Sequence, residues 1–239
     1  MAAAGEGGLD PDPGYGALAV FAATNTEKPH MPIRKIIAVL GLGVLSACAA
    51  QPEVEAIPEA LPVMAWDHRP EAELWTEATL EALQTHGIEL LTGAPADIEE
   101  WCPGYLTATL EERAAFWSGL FSALARYEST WNPRAVGGGG LWYGLVQIDP
   151  RTARAYGCEA RTGEALRDGV ANLRCAVRIA TSQVTRRGTV SRGMLDWGPF
   201  HSGEKRVSMR NWVREQDYCQ VPPEPEGLAA LIPALATVE

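Results

Sequence analysis

One stretch of this chain allows little but a helix. Thr109 is followed three residues later by Glu112, the pairing in which each side chain satisfies the other's free backbone N–H at a helix start. An apolar stripe follows at Phe116, Trp117, Leu120, Phe121 and Leu124, with the three-and-four spacing of one helical face. Glu128 stands four residues beyond Leu124, so the same face ends on a carboxyl group.

Other stretches read the same way. A helix is expected from about 71 to 91, with Gly87 as its weak point. Another starts at Asp149 as N-cap, with Pro150 at the first helical position, and stops near Gly157. A further one begins near Asp168, carries Leu173, Val177, Ala180 and Val184 on one face, and stops at Gly188. A short helix carrying Trp212 and Val213 completes the set. No internal repeat is visible, and no period-two runs stand between turn signals. The fold class expected is mainly α, with little or no sheet. The chain has 239 residues, 46% of them hydrophobic, which supports one good core with flexible arms.

The arms carry their own signals. Arg34 and Lys35 precede a short apolar run at 36–45, too short to span a bilayer. The run ends Leu45-Ser46-Ala47-Cys48, which resembles a bacterial lipobox, where the cysteine thiol accepts lipid after cleavage. The plainer reading is an ordinary secretory signal with a chance cysteine. Ala49 follows Cys48, with no aspartate to signal inner-membrane retention, so the periplasmic face of the outer membrane is the expected location. An export signal belongs at an N-terminus, so Met31 is read as the start and residues 1–30 as a mis-assigned upstream segment. The expected organisation is a signal peptide at 31–47, an acidic Pro/Ala linker at 48–70, a catalytic domain at 71–220 and a flexible tail at 221–239.

The formal net charge of −10 argues against a nucleic-acid partner. Its distribution is uneven. Residues 48–112 hold fourteen Asp or Glu and one Arg, whereas 174–214 hold nine Lys or Arg and two acids, Asp196 and Glu204. The basic part either binds an anionic polymer such as the cell wall or neutralises the acidic part within one fold. Beyond Cys48, four cysteines remain. The favoured pairing is Cys158 with Cys175, closing a short loop between helices, and Cys102 with Cys219, clasping the ends of the domain. The chain-entropy model gives these about 3 and about 5 kcal/mol. Free core thiols are the alternative. A zinc site is not expected, because no cysteine pair has close ligand spacing and the four histidines are scattered.

Glu128 is the residue with chemical promise. A carboxylate on an apolar face is costly, and the partial negative charge of a helix C-terminus adds to that cost. Both effects keep a proton on the group near neutral pH, as a general acid requires. By spacing alone, a capping or salt-bridging glutamate is the plainer reading. The surroundings weigh against it. Glu128-Ser129-Thr130-Trp131-Asn132-Pro133 is followed by four glycines at 137–140. Then come Gly144-Leu145-Val146-Gln147-Ile148-Asp149-Pro150, Thr152-Ala153 and Tyr156-Gly157. Asp168-Gly169-Val170-Ala171-Asn172-Leu173 lies further on. This series resembles the lytic transglycosylase domain of the soluble and membrane-bound types, over roughly 116–183. Val146 stands where that family usually has Met.

The resemblance implies a lysozyme-like (goose-type/SLT) helical fold with a cleft for peptidoglycan glycan strands. It implies Glu128 as acid and then base at the bond between N-acetylmuramic acid and N-acetylglucosamine, with the muramyl 6-hydroxyl closing a 1,6-anhydro ring. No cofactor or metal is implied. Ser129, Tyr143 and Gln147 match or neighbour positions that bind or orient sugar. Plain helix-end and turn hydrogen bonds are the alternatives for Ser129 and Gln147. Asp149 reads as the cap of the Pro150 helix; as a second catalytic carboxylate it would make the enzyme a hydrolytic muramidase. One departure stands out. The family usually carries Tyr-Asn-Ala-Gly, whose tyrosine bonds the acid, where this chain has Leu195-Asp196-Trp197-Gly198-Pro199-Phe200. Trp197 is either a sugar-stacking residue or core. A hydrolytic muramidase, or an idle peptidoglycan-binding lipoprotein, are the rival functions. The glycine run lacks the Gly-Lys-Ser/Thr of a phosphate loop and reads as a mobile rim on the cleft. Membrane contact is expected only through the lipid on Cys48.

Overall fold

The computed structural model describes residues 60–221. Cys48, the signal segment, the upstream residues 1–30 and nearly all of the 221–239 tail lie outside them. Eight α-helices occur in the described residues: α1 (Ala72–Gln84), α2 (Ile88–Thr92), α3 (Ile98–Trp101), α4 (Leu110–Ser129), α5 (Pro150–Ala155), α6 (Gly169–Arg187), α7 (Val190–Gly193) and α8 (Gly203–Arg214). The sheet is a single two-stranded hairpin, β1 (Val136–Gly137) and β2 (Trp142–Tyr143). The fold is thus mainly α.

Helix α4 is the axis of the domain. Its capping box forms as the sequence predicts: Thr109 accepts from the Glu112 N–H, and the Glu112 carboxylate accepts from that of Thr109. The structure buries far more than one stripe, however. Every residue from Ala114 to Ala125 is buried. The reason lies on the side of the helix opposite the aromatic stripe, where Ala115, Ser118, Gly119 and Ser122 are small enough for neighbours to approach. A Cβ on Gly119 would sit 2.3 Å from the Tyr218 hydroxyl. Helix α4 therefore packs against α1 on one side and α8 on another, while α6 packs on α1. Polar atoms in this core are threaded together. Trp117 Nε1 donates to the Tyr105 hydroxyl at 3.0 Å, and that hydroxyl donates to the Leu90 carbonyl at 2.7 Å.

Two expectations change. The 71–91 helix is broken at Gly87, where a Cβ would come within 2.6 Å of Val177, and α2 restarts at a new angle of the chain. The folded domain also begins earlier than residue 71. Met64 and Trp66 are buried, the Ala65 N–H donates to Ser122, and Trp66 Nε1 donates to Thr76. The prolines at 62 and 70 bracket this packed segment instead of extending the linker. The short Trp212 helix is the last turn of the twelve-residue α8.

Cys102 is bonded to Cys219 and Cys158 to Cys175. The first ties the loop before α4 to the turn after α8. The second ties the end of α5 to α6. The basic C-terminal part is largely spent within the fold. Arg214 donates to the Glu99 and Glu100 carbonyls, Arg210 pairs with Glu100 at 3.5 Å, and Arg174 pairs with Glu81 at 2.5 Å. Two of these contacts, Arg210 with Glu100 and Arg174 with Glu81, pair the basic part with the acidic part within the fold. No helix among the described residues is long and apolar enough to cross a membrane.

Candidate active site

Two segments meet at the C-terminal end of α4. The first is the helix end itself, Glu128-Ser129, turned by Thr130 and Trp131. The second is the hairpin and the loop after it, 136–149. Ser129 joins them: its hydroxyl donates to the Leu145 carbonyl at 2.7 Å and accepts from the Asn132 N–H at 3.2 Å. The three non-glycine residues with left-handed φ among the described residues are Thr130, Trp131 and Gln147. All lie in these two segments. Each such conformation costs on the order of 1–3 kcal/mol and persists only where the surroundings enforce it.

The hairpin explains the glycines. β1 and β2 pair antiparallel, with Val136 opposite Tyr143 and Gly137 opposite Trp142. Gly138, Gly139 and Gly140 all take positive φ to make the turn between them. The run is a defined turn closed by Gly137, whose carbonyl accepts from the Gly140 and Leu141 N–H groups. Gly144 is equally constrained, since a Cβ there would lie 2.1 Å from the Leu166 carbonyl and 2.3 Å from Asn172 Nδ2.

Asn172 holds this loop to α6. It is fully buried, its Oδ1 accepts from the Val146 N–H, and its Nδ2 donates to the Tyr143 and Leu166 carbonyls. Sequence reasoning noted its motif but assigned it no role. Its work is to satisfy the Val146 N–H and the Leu166 carbonyl and to add a second donor to the Tyr143 carbonyl, which also accepts from the Ile148 N–H.

Glu128 is half-buried, and its carboxyl group is pushed up to about 7. Loss of solvation on burial is the largest cause. The Lys205 ammonium and the Gly198 backbone N–H, both facing the carboxylate, pull it partly back. Gly198 belongs to the segment where a tyrosine was missing. A main-chain amide there now faces the acid, and no side-chain pattern could have announced it. Lys205, on the first turn of α8, also sits over the Tyr127 ring at 5.7 Å.

A cavity of about 220 Å³ opens beside these elements, lined by Trp142, Gln147, Ile148, Asp149, Thr152, Ile179, Asp196 and Trp197. Gln147 reaches it with its amide nitrogen committed to the Gly144 and Ala135 carbonyls. Trp197 is 4% exposed, donates Nε1 to the Val146 carbonyl and packs edge-on against Phe121. It is a core residue that shows one edge to the cavity. Tyr143 faces the other way from Trp142, over Gly163, with its hydroxyl on the Gly140 carbonyl. Asp149 caps α5 through the Arg151 N–H and grips the Arg151 side chain, which holds its carboxyl below the usual range. Asp196 accepts from Gln183 at 2.7 Å and pairs with Arg187 at 3.4 Å. Among the described residues, no three His, Cys, Asp or Glu side chains gather as for a metal.

Residues 106–213 match the family model of the Transglycosylase SLT domain. Three solved structures titled Bd0314 DslA, one a wild-type form and two bearing a single glutamate-to-glutamine change, are similar to this chain with a TM-score of 0.62 and 24% identity. Each likeness covers 68% of this chain and 100% of the other. Comparison with curated proteins gives no match. The helical architecture is that of the lysozyme-like SLT fold.

Proposed function

We propose that this chain is a peptidoglycan lytic transglycosylase in which Glu128 is the general acid and then the base. The observation that carries the reading is a half-buried carboxyl group pushed up to about 7, beside Ser129, which bonds the helix end to the loop that lines the cavity, inside the matched 106–213 region. In the first step the Glu128 carboxyl gives its proton to the glycosidic oxygen between N-acetylmuramic acid and N-acetylglucosamine, and the bond from that oxygen to the muramyl anomeric carbon breaks. The substrate's acetamido oxygen supports the cationic carbon. In the second step the muramyl 6-hydroxyl attacks the carbon while its proton passes to the Glu128 carboxylate. The products are a 1,6-anhydromuramyl end and a free N-acetylglucosamine end, with no water consumed. One mobile proton and one carboxyl group suffice.

Gln147 and Trp197 line the sugar-binding cleft in this reading, and Ser129 and Tyr143 hold its frame. The rival is hydrolysis on the same fold, favoured by the carboxylates of Asp149 and Asp196 in the cavity wall. Both are engaged by arginines, which supports an electrostatic role over activation of water. Digestion of purified sacculi, with mass spectrometry of the released muropeptides, decides. Anhydro ends support the transglycosylase, reducing ends the muramidase. No release by the unaltered protein overturns both.

The same reading places the enzyme on the periplasmic face of the outer membrane, anchored by lipid at Cys48 with residues 31–47 as the removed signal. Cys48→Ala is expected to move the protein from the membrane to the soluble fraction. Unchanged partitioning would refute the anchor.

A further inference from the structure

A pyranose ring has two chemically distinct aspects. Its faces present C–H groups and are apolar, while its edge carries hydroxyl and acetamido groups. A site that selects such a ring needs a flat apolar wall next to hydrogen-bonding groups. The cavity between the hairpin loop and Trp197 has both. Five tryptophans of this domain, Trp66, Trp75, Trp101, Trp117 and Trp197, are at most 4% exposed, whereas Trp142 is 46% exposed. Its indole stands on β2 as one wall of the cavity. Gln147, Thr152 and Asp196 line the same cavity. The Gln147 amide nitrogen is committed to two carbonyls and its carboxamide oxygen lies against Gly137, so this side chain is a fixed part of the wall. The Asp196 carboxylate is fixed by Gln183 and Arg187 and retains further accepting capacity.

The hairpin is built to hold the indole there. A Cβ on Gly138 would lie 2.5 Å from the Trp142 ring, so the ring rests flat on glycine backbone. Gly138 also has a φ of +57°, which glycine takes without strain. An indole lying on rigid backbone loses little side-chain freedom when a ligand covers its other face. At about 220 Å³ the cavity is smaller than the several hundred Å³ of a drug-sized pocket, which suits a single sugar residue.

We propose that Trp142 is a sugar-stacking platform, forming with Gln147, Thr152 and Asp196 a subsite for one pyranose. The inference rests on the reading of this cavity as part of a glycan cleft, and its test is separable from turnover. The Glu128→Gln protein is titrated calorimetrically with chitotetraose and with peptide-free glycan strands from amidase-treated sacculi. Adding Trp142→Ala is expected to weaken binding about tenfold, the size of one lost aromatic stacking contact. Trp142→Phe keeps a flat ring and is expected to recover most of it. In the protein with Glu128 intact, Trp142→Ala raises KM for sacculi more than it lowers kcat. Thermal midpoints of both variants stay close to the parent's, because the ring is largely outside the core. Unchanged affinity in Trp142→Ala overturns the platform, as does no binding of either glycan by the Glu128→Gln parent. Equal weakening by Ala and Phe, with a drop in thermal midpoint, assigns Trp142 to holding the hairpin and also overturns it. If the unaltered protein releases nothing from sacculi, the lytic reading falls, and the calorimetry still decides the subsite.

Discussion

The backbone N–H of Gly198 faces the carboxylate of Glu128 and favours its ionised form. It does so from the segment where a tyrosine was expected, and the exchange has a consequence. A main-chain donor favours the ionised carboxylate and does not titrate. The acid's proton affinity is then set by burial against two fixed opponents, this amide and the Lys205 ammonium.

The pH profile should report that balance. If Glu128 must carry its proton, activity falls as pH rises through about 7. Lys205→Met removes the charge that favours ionisation, so the alkaline limb should move to higher pH. Rates measured on solubilised glycan from pH 5 to 9 would check this. A limb that stays in place, or moves down, removes Lys205 from the acid's environment.

Glu128 should also cost stability. Its folded-state value of about 7 lies above the 4.5 of an ordinary glutamate. Between those values the folded state keeps a proton that the unfolded chain releases, so stability falls as pH rises through that window. Glu128→Gln is expected to be more stable than the parent above pH 7, by on the order of 2 kcal/mol after allowance for partial exposure. The gain should fade below about pH 4.5. Urea unfolding at pH 4 and pH 8 measures the difference, and equal gains at both would contradict the burial account.

Asn172 makes three hydrogen bonds from a fully buried side chain. Asn172→Ala leaves the Val146 N–H and the Leu166 carbonyl without partners, at about 1–3 kcal/mol for each group that water cannot reach, while the Tyr143 carbonyl keeps the Ile148 N–H. We expect a loss of several kcal/mol in denaturant unfolding, and a fall in activity because Gln147 and Trp142 lose their frame. A variant of normal stability would show that the loop is held by other contacts.

The two disulfides should differ in weight. Cys102–Cys219 spans 117 residues and Cys158–Cys175 spans 17. On the chain-entropy model, replacing the first pair by alanine costs about 5 kcal/mol and the second about 3 kcal/mol. Thermal and denaturant midpoints of the two double variants give the order. The reverse order would mean that native packing, rather than chain entropy, sets their worth.

Much of the helical frame could be read from local pattern. The Thr109–Glu112 capping box, Asp149 with Pro150, and the stop at Gly188 are instructions carried by a few adjacent residues, and they act wherever the chain goes. The weak point at Gly87 is visible in the sequence, but its close approach to Val177 is not. The early packing of Trp66 was hidden because prolines on either side resemble a linker until Ser122 and Thr76 supply partners.

By itself the sequence determined which residue ends the central helix with a carboxyl group, because helical spacing is a property of neighbours along the chain. Only the tertiary structure decided what surrounds that group. Gly198, Lys205 and Asn172 lie 70, 77 and 44 residues beyond Glu128 in the sequence. The first acts through a backbone amide, and the third acts through backbone it satisfies. The exposure of Trp142, against the partial burial of Tyr143 beside it, follows from which face of the hairpin packs on the domain. Such facts depend on distances between remote segments, and no local pattern encodes them.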